Sequence, residues 1–251
     1  MISWLVTLAV GYTLAIMKLM RILSLLAAWA LCHVGWAQTP AWVGAWQMSG
    51  QPEQILIVTD SYWSLTSFDR TKKEFVRTQG GPFSISAESV KTRIDFDSAD
   101  PKNVGKYVQG RVKADKERLR WEQNGQVDTW TRIDSAQSPL AGVWRITRRL
   151  ENGQYGEMPL RARRTLKILS GTRFQWVAIN VETGEFSGTG GGTFTFKDGK
   201  YTEHIEFFSR DGSRVGASLE FSGAVKGDDW HHQEKSSRGD PLDEVWSRFK
   251  P

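Results

Sequence analysis

The amino-acid sequence predicts an all-β, antiparallel protein in which one structural unit occurs twice. Short β-branched and aromatic segments alternate with turn dipeptides such as Asn124-Gly125 and Asp198-Gly199. No long segment shows the roughly 3.6-residue period of an amphipathic helix. A series of motifs in the first half returns in the same order in the second half. Strands spaced roughly ten residues apart in this way indicate a β-barrel or a β-sandwich.

The repeat is recognisable at both ends of each copy. Gly44-Ala45-Trp46 returns as Gly142-Val143-Trp144, and Trp130-Thr131-Arg132 returns as Trp246-Ser247-Arg248. Five further pairs lie between these ends: 55–57 with 166–169, 62–65 with 174–177, 81–85 with 192–196, 94–96 with 205–207, and 104–105 with 215–216. The usual solenoid periods of roughly 20–50 residues are too short for this spacing, which predicts two domains.

The first copy occupies residues 38–134, and the polar segment 135–141, which contains Pro139, is the predicted linker. The predicted strands of this copy are 42–48, 54–60, 62–68, 73–79, 82–86, 89–97, 105–114 with 118–123, and 127–133.

The second copy occupies residues 142–251. Its predicted strands are 142–149, 164–170, 173–182, 185–188, 192–196, 201–209, 214–225, 229–236 and 243–249. Between two of them lies the glycine-rich run 188–192. A phosphate-binding loop would need a following helix and a Lys-Ser/Thr pair, so a hairpin tip or barrel rim is predicted instead.

Residues 1–37 have the pattern of a secretory signal peptide. A basic patch at 17–21 precedes an apolar run, and Gly35-Trp36-Ala37 supplies small residues for cleavage near Ala37. Met17 and Met20 are alternative starts. The rival interpretations are an uncleaved anchor helix and a lipoprotein signal acylated at Cys32. Cleavage predicts a secreted or periplasmic protein without a transmembrane span in its mature chain.

The composition excludes several classes of protein. The chain has 251 residues, and its one Cys lies in the predicted leader, so disulfide scaffolds, zinc fingers and thiol enzymes are excluded. Removal of Lys18 and Arg21 with the leader lowers the net charge from +5 to +3, which is too weak to indicate nucleic-acid binding. One local excess of positive charge predicts a solvated face or rim with a mild attraction for anions: Arg145, Arg148, Arg149, Arg161, Arg163 and Arg164.

The Trp and Arg residues at the ends of each copy resemble a feature of the calycins, the group of fatty-acid-binding proteins and lipocalins. There a Trp on the first strand packs beneath an Arg from the last strand and closes one end of an up-and-down barrel. The corresponding pairs here are Trp46 with Arg132 and Trp144 with Arg248. An Arg over an indole ring gains about 0.5–2 kcal/mol of cation–π attraction.

The second copy is similar to the small lipocalin-like domains of secreted bacterial proteins of unassigned function. The resemblance rests on Gly192–Phe196, Tyr201–Phe207, Gly227–His232 and Glu244–Arg248. It implies two tandem antiparallel up-and-down barrels of about eight strands each, with the first copy divergent. An eight-stranded barrel of this size either holds a small ligand or is filled by its own side chains.

The candidate ligand-binding face lies on the predicted strand 201–209. Alternation of side chains places Tyr201, Glu203 and Phe207 on one face and His204 on the other. A buried Glu203 must be paired, either with a polar group of a ligand or with Tyr201 and an Arg from a neighbouring strand. The full set of candidate binding residues is Tyr201, Glu203, Phe207, His204, His232, Trp230, Trp176 and Phe194.

The sequence thus predicts an exported lipocalin-like protein whose second barrel binds a small apolar or amphiphilic molecule. One alternative is a structural or interaction module with filled barrels, which meets a protein or polysaccharide of the cell envelope. A less favoured one is an enzyme that uses Glu203 and a His as acid and base. No cofactor and no metal site are expected.

Overall fold

The protein forms two closed antiparallel β-barrels, one from each copy of the repeat. The computed structural model describes residues 39–151, 153–235 and 241–251, and the predicted signal peptide, 1–37, lies outside them. Each barrel has eight strands in its closed ring and one extra strand attached to that ring. The predicted all-β fold of two tandem up-and-down barrels is therefore confirmed. Among the described residues, no helix is long and apolar enough to cross a membrane.

The strands of the first barrel run in chain order around the ring, and β9 closes it by pairing with β1. They are β1 Gly44–Met48, β2 Glu53–Val58, β3 Tyr62–Asp69, β4 Glu74–Ser86, β5 Ser89–Arg93, β6 Phe96–Asp97, β7 Tyr107–Ala114, β8 Arg118–Gln123 and β9 Gln126–Asp134. The two-residue β6 is the extra strand and pairs only with β4.

The second barrel repeats this order, and β18 closes it by pairing with β10. Its strands are β10 Gly142–Glu151, β11 Gln154–Glu157, β12 Arg163–Leu169, β13 Arg173–Asn180, β14 Phe186–Lys197, β15 Lys200–Phe208, β16 Ser218–Lys226, β17 Asp229–Lys235 and β18 Pro241–Arg248. Here the extra strand is β11, which extends a hairpin from β10.

Two predicted segments of the second copy are corrected. The glycine-rich run 188–192 lies inside β14 and is buried, not at a hairpin tip. Glycine is needed at positions 190 and 191 because the rings of Trp176 and Phe208 crowd one face of the strand and the ring of Phe207 crowds the other. The predicted strand 214–225 begins later, at Ser218, since residues 212–214 form a 3₁₀ turn.

A matching 3₁₀ turn in the first copy supports the duplication. Asp100 accepts a hydrogen bond from the Lys102 amide at the start of one turn, and Asp211 accepts one from the Ser213 amide at the other. The first turn divides the predicted strand 89–97 from β7.

The two copies align differently in β3 from the predicted repeat, because Trp63 pairs with Gly81 as Phe174 pairs with Gly192. Trp63 is therefore equivalent to Phe174, not to Gln175.

Each barrel is closed at one end by an Arg that stacks on a Trp. The Arg132 guanidinium lies 4.0 Å from the ring centre of Trp46, and that of Arg248 lies 4.3 Å from Trp144. Arg248 also donates hydrogen bonds to the carbonyls of Ala141 and Pro139. These bonds hold the segment that leads into β10. Gly142 has a φ of 131°, and a Cβ there would lie 2.5 Å from the Arg248 guanidinium, so only glycine fits.

The barrels pack against each other through an apolar interface as well developed as their interiors. Strands β2 and β3 of the first barrel and β12 and β13 of the second contribute most of it. The buried residues of this interface are Ile55, Ile57, Tyr62, Phe68, Phe96, Val143, Leu166, Ile168, Val177, Ile179, Phe207 and Phe249. These strands therefore have two buried faces, one inside the barrel and one against the other barrel.

Polar groups fix the register between the barrels. The Gln175 amide bonds Thr66 and Thr78 of the first barrel and Thr189 of the second, at 2.9–3.0 Å. The Asp134 carboxylate, at the end of β9, accepts four hydrogen bonds from Ser170, Gly171 and Thr172 in the β12–β13 turn. Burial alone would raise the pKa of Asp134, but these bonds and the Ala136 amide hold it below its usual value.

Candidate functional site

The mouth of the second barrel, opposite the end closed by Trp144 and Arg248, contains a cavity of about 440 Å³. Its apolar floor is formed by Ile146, Trp176 and Ala178, with Thr165 beside them. Six arginines surround this floor: Arg145, Arg149, Arg161, Arg163, Arg164 and Arg210. The cavity is therefore amphipathic, apolar at its base and positively charged at its rim.

Strand alternation explains which side chains reach the cavity. On β12, Leu166 and Ile168 face the first barrel, so Arg163 and Thr165 belong to the opposite, inward series. Trp176 on β13 projects inward and packs edge-on against Phe208, with 5.4 Å between ring centres. A Cβ on Gly190 would lie 2.7 Å from the Trp176 indole nitrogen, so the glycine in β14 leaves room for this ring.

An extension found only in the second barrel forms one wall of the cavity. Strand β10 is ten residues long, whereas its counterpart β1 has five. It continues into β11 and a loop, 158–162, that returns along the rim. Arg145 holds this loop in place by donating a 2.9 Å hydrogen bond to the Met158 carbonyl.

Beneath the cavity lies a buried ion pair. Lys167 Nζ is 2.9 Å from Glu203 Oε1, which also accepts a hydrogen bond from the Tyr201 hydroxyl at 2.9 Å. Lys167 projects from β12 directly opposite Trp176 of β13, which links the pair to the cavity floor. Burial and the Glu203 charge raise the pKa of Tyr201 well above its ordinary value.

The lysine of this pair sits among aromatic rings. Its Nζ lies 5.1–5.5 Å from the ring centres of Tyr201, Phe221, Trp230 and Trp246, within the range of cation–π attraction. Buried charges need such compensation, since the interior solvates them poorly. In the first barrel, Leu56 and Thr92 occupy the positions of Lys167 and Glu203, so the ion pair belongs to the second barrel alone.

His232 lies in the same aromatic cluster. Its ring centre is 4.7 Å from that of Phe221 and 4.8 Å from that of Trp230. Neither ring nitrogen has a hydrogen-bond partner among the described residues. Burial, with the nearby Lys167 charge, lowers the pKa of His232 well below its ordinary value, so the ring is neutral at pH 7.

The structure separates the candidate residues into three groups. Of the eight candidate binding residues, Trp176 is the one that lines the cavity. Tyr201, Glu203, Phe194, Trp230 and His232 pack in the barrel interior, where the Glu203 partner is Lys167 from β12 and not an Arg from a neighbouring strand.

The two remaining candidates lie outside the barrel. His204 is exposed and bonds Ser218. The expected inward position of Phe207 is wrong, because a bulge opposite Gly191 and Gly192 shifts the alternation and turns this ring toward Phe68 of the first barrel.

Sequence reasoning missed Lys167 and the cavity. The alternation Leu166-Lys167-Ile168 was the available signal, but it predicts a solvent-facing lysine unless both faces of the strand are known to be buried. Five of the six clustered arginines do line the cavity, and the sixth, Arg148, pairs with Asp229 outside it. The cavity itself depends on how the loop 158–162 folds back, which no local pattern specifies.

The described residues contain no group of three or more His, Cys, Asp or Glu side chains placed to hold a metal ion. Glu203 and His232 are both buried, and no hydrogen bond joins them in the part of the chain that the structure describes.

The two rings share one architecture. Both rings are up-and-down, and each is closed by an Arg stacked on a first-strand Trp. Residues 139–251 match the family described as Domain of unknown function (DUF4488). A solved lipocalin-like protein from Bacteroides uniformis ATCC 8492 is 11% identical over 45% of this chain and 100% of that chain, with a TM-score of 0.32. Curated proteins give no match to the chain.

Proposed function

We propose that this chain binds a small apolar or amphiphilic molecule in the mouth of its second lipocalin-like barrel. The observation that carries the proposal is the cavity of about 440 Å³ above Trp176. Small-molecule sites typically measure about 300–1,000 Å³ and combine an apolar lining with a few polar groups. The Trp176 ring and the side chains of Ile146 and Ala178 supply apolar contact area for such a ligand.

The first barrel is filled by its own side chains, so we assign it a structural role. The described cavity at its Trp42 and Trp121 has a volume of only about 10 Å³, close to that of a single water molecule. Its interior is packed with apolar side chains, including Trp63 and Trp130. In this proposal the first barrel stabilises the second through their shared interface and leaves ligand binding to it.

The alternatives receive less support. An interaction module with filled barrels does not account for an open, apolar-floored cavity in the second barrel. An acid–base enzyme would need Glu203 and His232 within reach of each other and of a substrate. Glu203 is instead bonded to Lys167 and Tyr201 below the cavity.

Titration with a neutral, environment-sensitive fluorophore such as N-phenylnaphthylamine tests the proposal. We expect saturable binding at one site. Trp176→Ala should weaken this binding by about tenfold or more, because a buried aromatic side chain at the centre of a binding site contributes about 2 kcal/mol or more. The matched control is Trp121→Ala, which removes the half-buried Trp that lines the small cavity of the first barrel. Absence of binding, or a larger loss in the Trp121 variant, would contradict the proposal.

We further propose that the protein acts outside the cytoplasm. The support is the basic patch and apolar run of residues 1–37, followed by Gly35-Trp36-Ala37. Mass spectrometry of protein recovered from the periplasm or medium of its host should give a chain that begins at Gln38. Recovery only from the cytoplasm with residues 1–37 intact would be evidence against export.

A further inference from the structure

Most of the arginines at the rim of the cavity have no carboxylate partner among the described residues. Among the residues that the structure describes, Arg149 alone forms an ion pair there, with Glu244 at 2.6 Å. For the other five, no described carboxylate lies within 4.0 Å: Arg145, Arg161, Arg163, Arg164 and Arg210. Elsewhere Arg70, Arg93 and Arg173 each pair with a Glu or Asp. The rim therefore concentrates positive charge that the described side chains leave uncompensated.

Several of these guanidinium groups are held in place by the backbone. Arg210 Nε donates to the Ser187 carbonyl at 2.7 Å, and Arg145 donates to the carbonyls of Ile146 and Met158. Neutral carbonyl partners orient an arginine without cancelling its charge, and each group keeps further N–H donors. Groups fixed in this way lose less conformational entropy when a ligand binds.

The charge and the apolar floor occupy different levels of one cavity. Arg163 stands at the rim end of the inward series on β12, and Thr165 and then Lys167 follow deeper in the barrel. The Lys167 charge below is already neutralised by Glu203. A ligand would thus meet uncompensated positive charge only at the rim, and apolar contacts with Ile146 and Trp176 beneath it.

From this arrangement we infer that the ligand is an anionic amphiphile, an apolar chain or ring system that carries a carboxylate, sulfate or phosphate group. This inference rests on the proposed function. The apolar part packs on Ile146 and Trp176, and the anionic group lies among the rim arginines. We assign Arg163 and its neighbour Arg161 as its main partners, because Arg163 stands at the rim end of the inward series on β12, directly above the apolar floor. A guanidinium presents paired N–H donors that match the oxygens of such groups.

Calorimetric titration with ligands of equal chain length tests the inference: decanoate, decyl sulfate, decanol and decyltrimethylammonium, each below its micellar concentration, together with inorganic phosphate. Hydrogen bonds to charged groups are typically worth enough for about tenfold tighter binding. We therefore expect decanoate and decyl sulfate to bind about tenfold more tightly than decanol. Their affinity should fall as salt concentration rises.

Two double variants make the test specific. R161Q/R163Q should abolish the preference for anions over decanol and leave decanol binding unchanged. R118Q/R120Q is the matched control, because it removes the same charge from exposed arginines on β8 of the first barrel, and it should keep the preference.

The outcomes separate the two proposals. If decanol binds as tightly as decanoate, or if R161Q/R163Q keeps the preference, the inference is wrong while the proposed function stands. Binding of inorganic phosphate as tight as that of decanoate would also overturn the inference, because an amphiphile would then not be required. If neither the amphiphiles nor the neutral fluorophore binds, the proposed function itself is contradicted.

Discussion

His232 illustrates how one buried residue makes stability depend on pH. The side chain is 2% exposed, surrounded by Tyr201, Phe221, Trp230 and Trp246, and close to the positive charge of Lys167. Protonation would place a second cation in this apolar cluster, so the folded protein keeps the ring neutral. The unfolded chain binds a proton at this residue once the pH falls below the ordinary histidine pKa of about 6.5.

We therefore expect the free energy of unfolding to decrease as the pH falls below about 6.5, by up to about 1.4 kcal/mol per pH unit from this residue alone. Above that pH neither state binds the proton, and the contribution of His232 is constant. Urea unfolding at pH 7.5, 6.5 and 5.5 (about one unit apart) measures the slope. In His232→Phe, the slope of the unfolding free energy with pH should decrease by the amount that corresponds to about one bound proton. His204→Gln, which replaces an exposed histidine, is the control and should keep the wild-type slope. Equal slopes for the wild type and the His232 variant would refute this account.

Strand β14 shows how an element can be shaped by the rings that surround it. Its glycines pair with β13 on one side and β15 on the other, and they lie where large side chains converge from both faces. Gly190 has Trp176 and Phe208 on its inner side, and Gly191 has Phe207 on its outer side. Glycine weakens an ordinary strand. Here the absence of a side chain at Gly190 leaves room for the Trp176 ring, which forms part of the cavity floor.

Gly190→Ala should lower the free energy of unfolding by about 1–3 kcal/mol, the usual effect of overpacking, because the added Cβ would lie 2.7 Å from the Trp176 indole and 2.8 Å from Phe208. Urea unfolding with a fixed m-value measures this loss. Gly156→Ala in β11 is the matched control, since the nearest atom to its Cβ would be 4.0 Å away. A loss in the control as large as that at Gly190 would show that the effect does not come from the crowded rings.

At the scale of the whole molecule, the two barrels share one apolar interface and are expected to unfold together. Ile55 and Ile57 from β2 meet the outer faces of β12 and β13 in a single buried cluster. The Gln175 bonds and the Asp134 carboxylate span the same junction. Neither barrel could lose its partner without exposing this apolar surface to water.

Ile57→Asp should divide thermal unfolding into two transitions, because a carboxylate in the interface must recover water and so separates the barrels. Differential scanning calorimetry measures the number of transitions, and the wild type is expected to show one. The control is Val76→Asp, at a position on β4 that is 47% exposed, and it should keep a single transition. A single transition in the Ile57 variant would mean that the interface does not couple the barrels.

The all-β class, the duplication and the closure of each barrel by an Arg stacked on a Trp follow from the sequence alone. Strand alternation, turn dipeptides and the Gly-x-Trp and Trp-x-Arg ends are local patterns, and local geometry is enough to specify what they form. The sequence also shows the cluster that contains most of the arginines around the cavity, although it predicts for them only a solvated face or rim.

Which face of each strand is buried, and what it packs against, depends on how the two barrels fold and meet. Alternation gives every strand two faces, and the first barrel buries the outer face of β12, which leaves Lys167 inside with Glu203. A bulge beside Gly192 then sends Phe207 outward, although Tyr201 and Glu203 on the same strand point inward. Bulges and the contact between barrels depend on residues far apart in the chain, so a period of two cannot specify them.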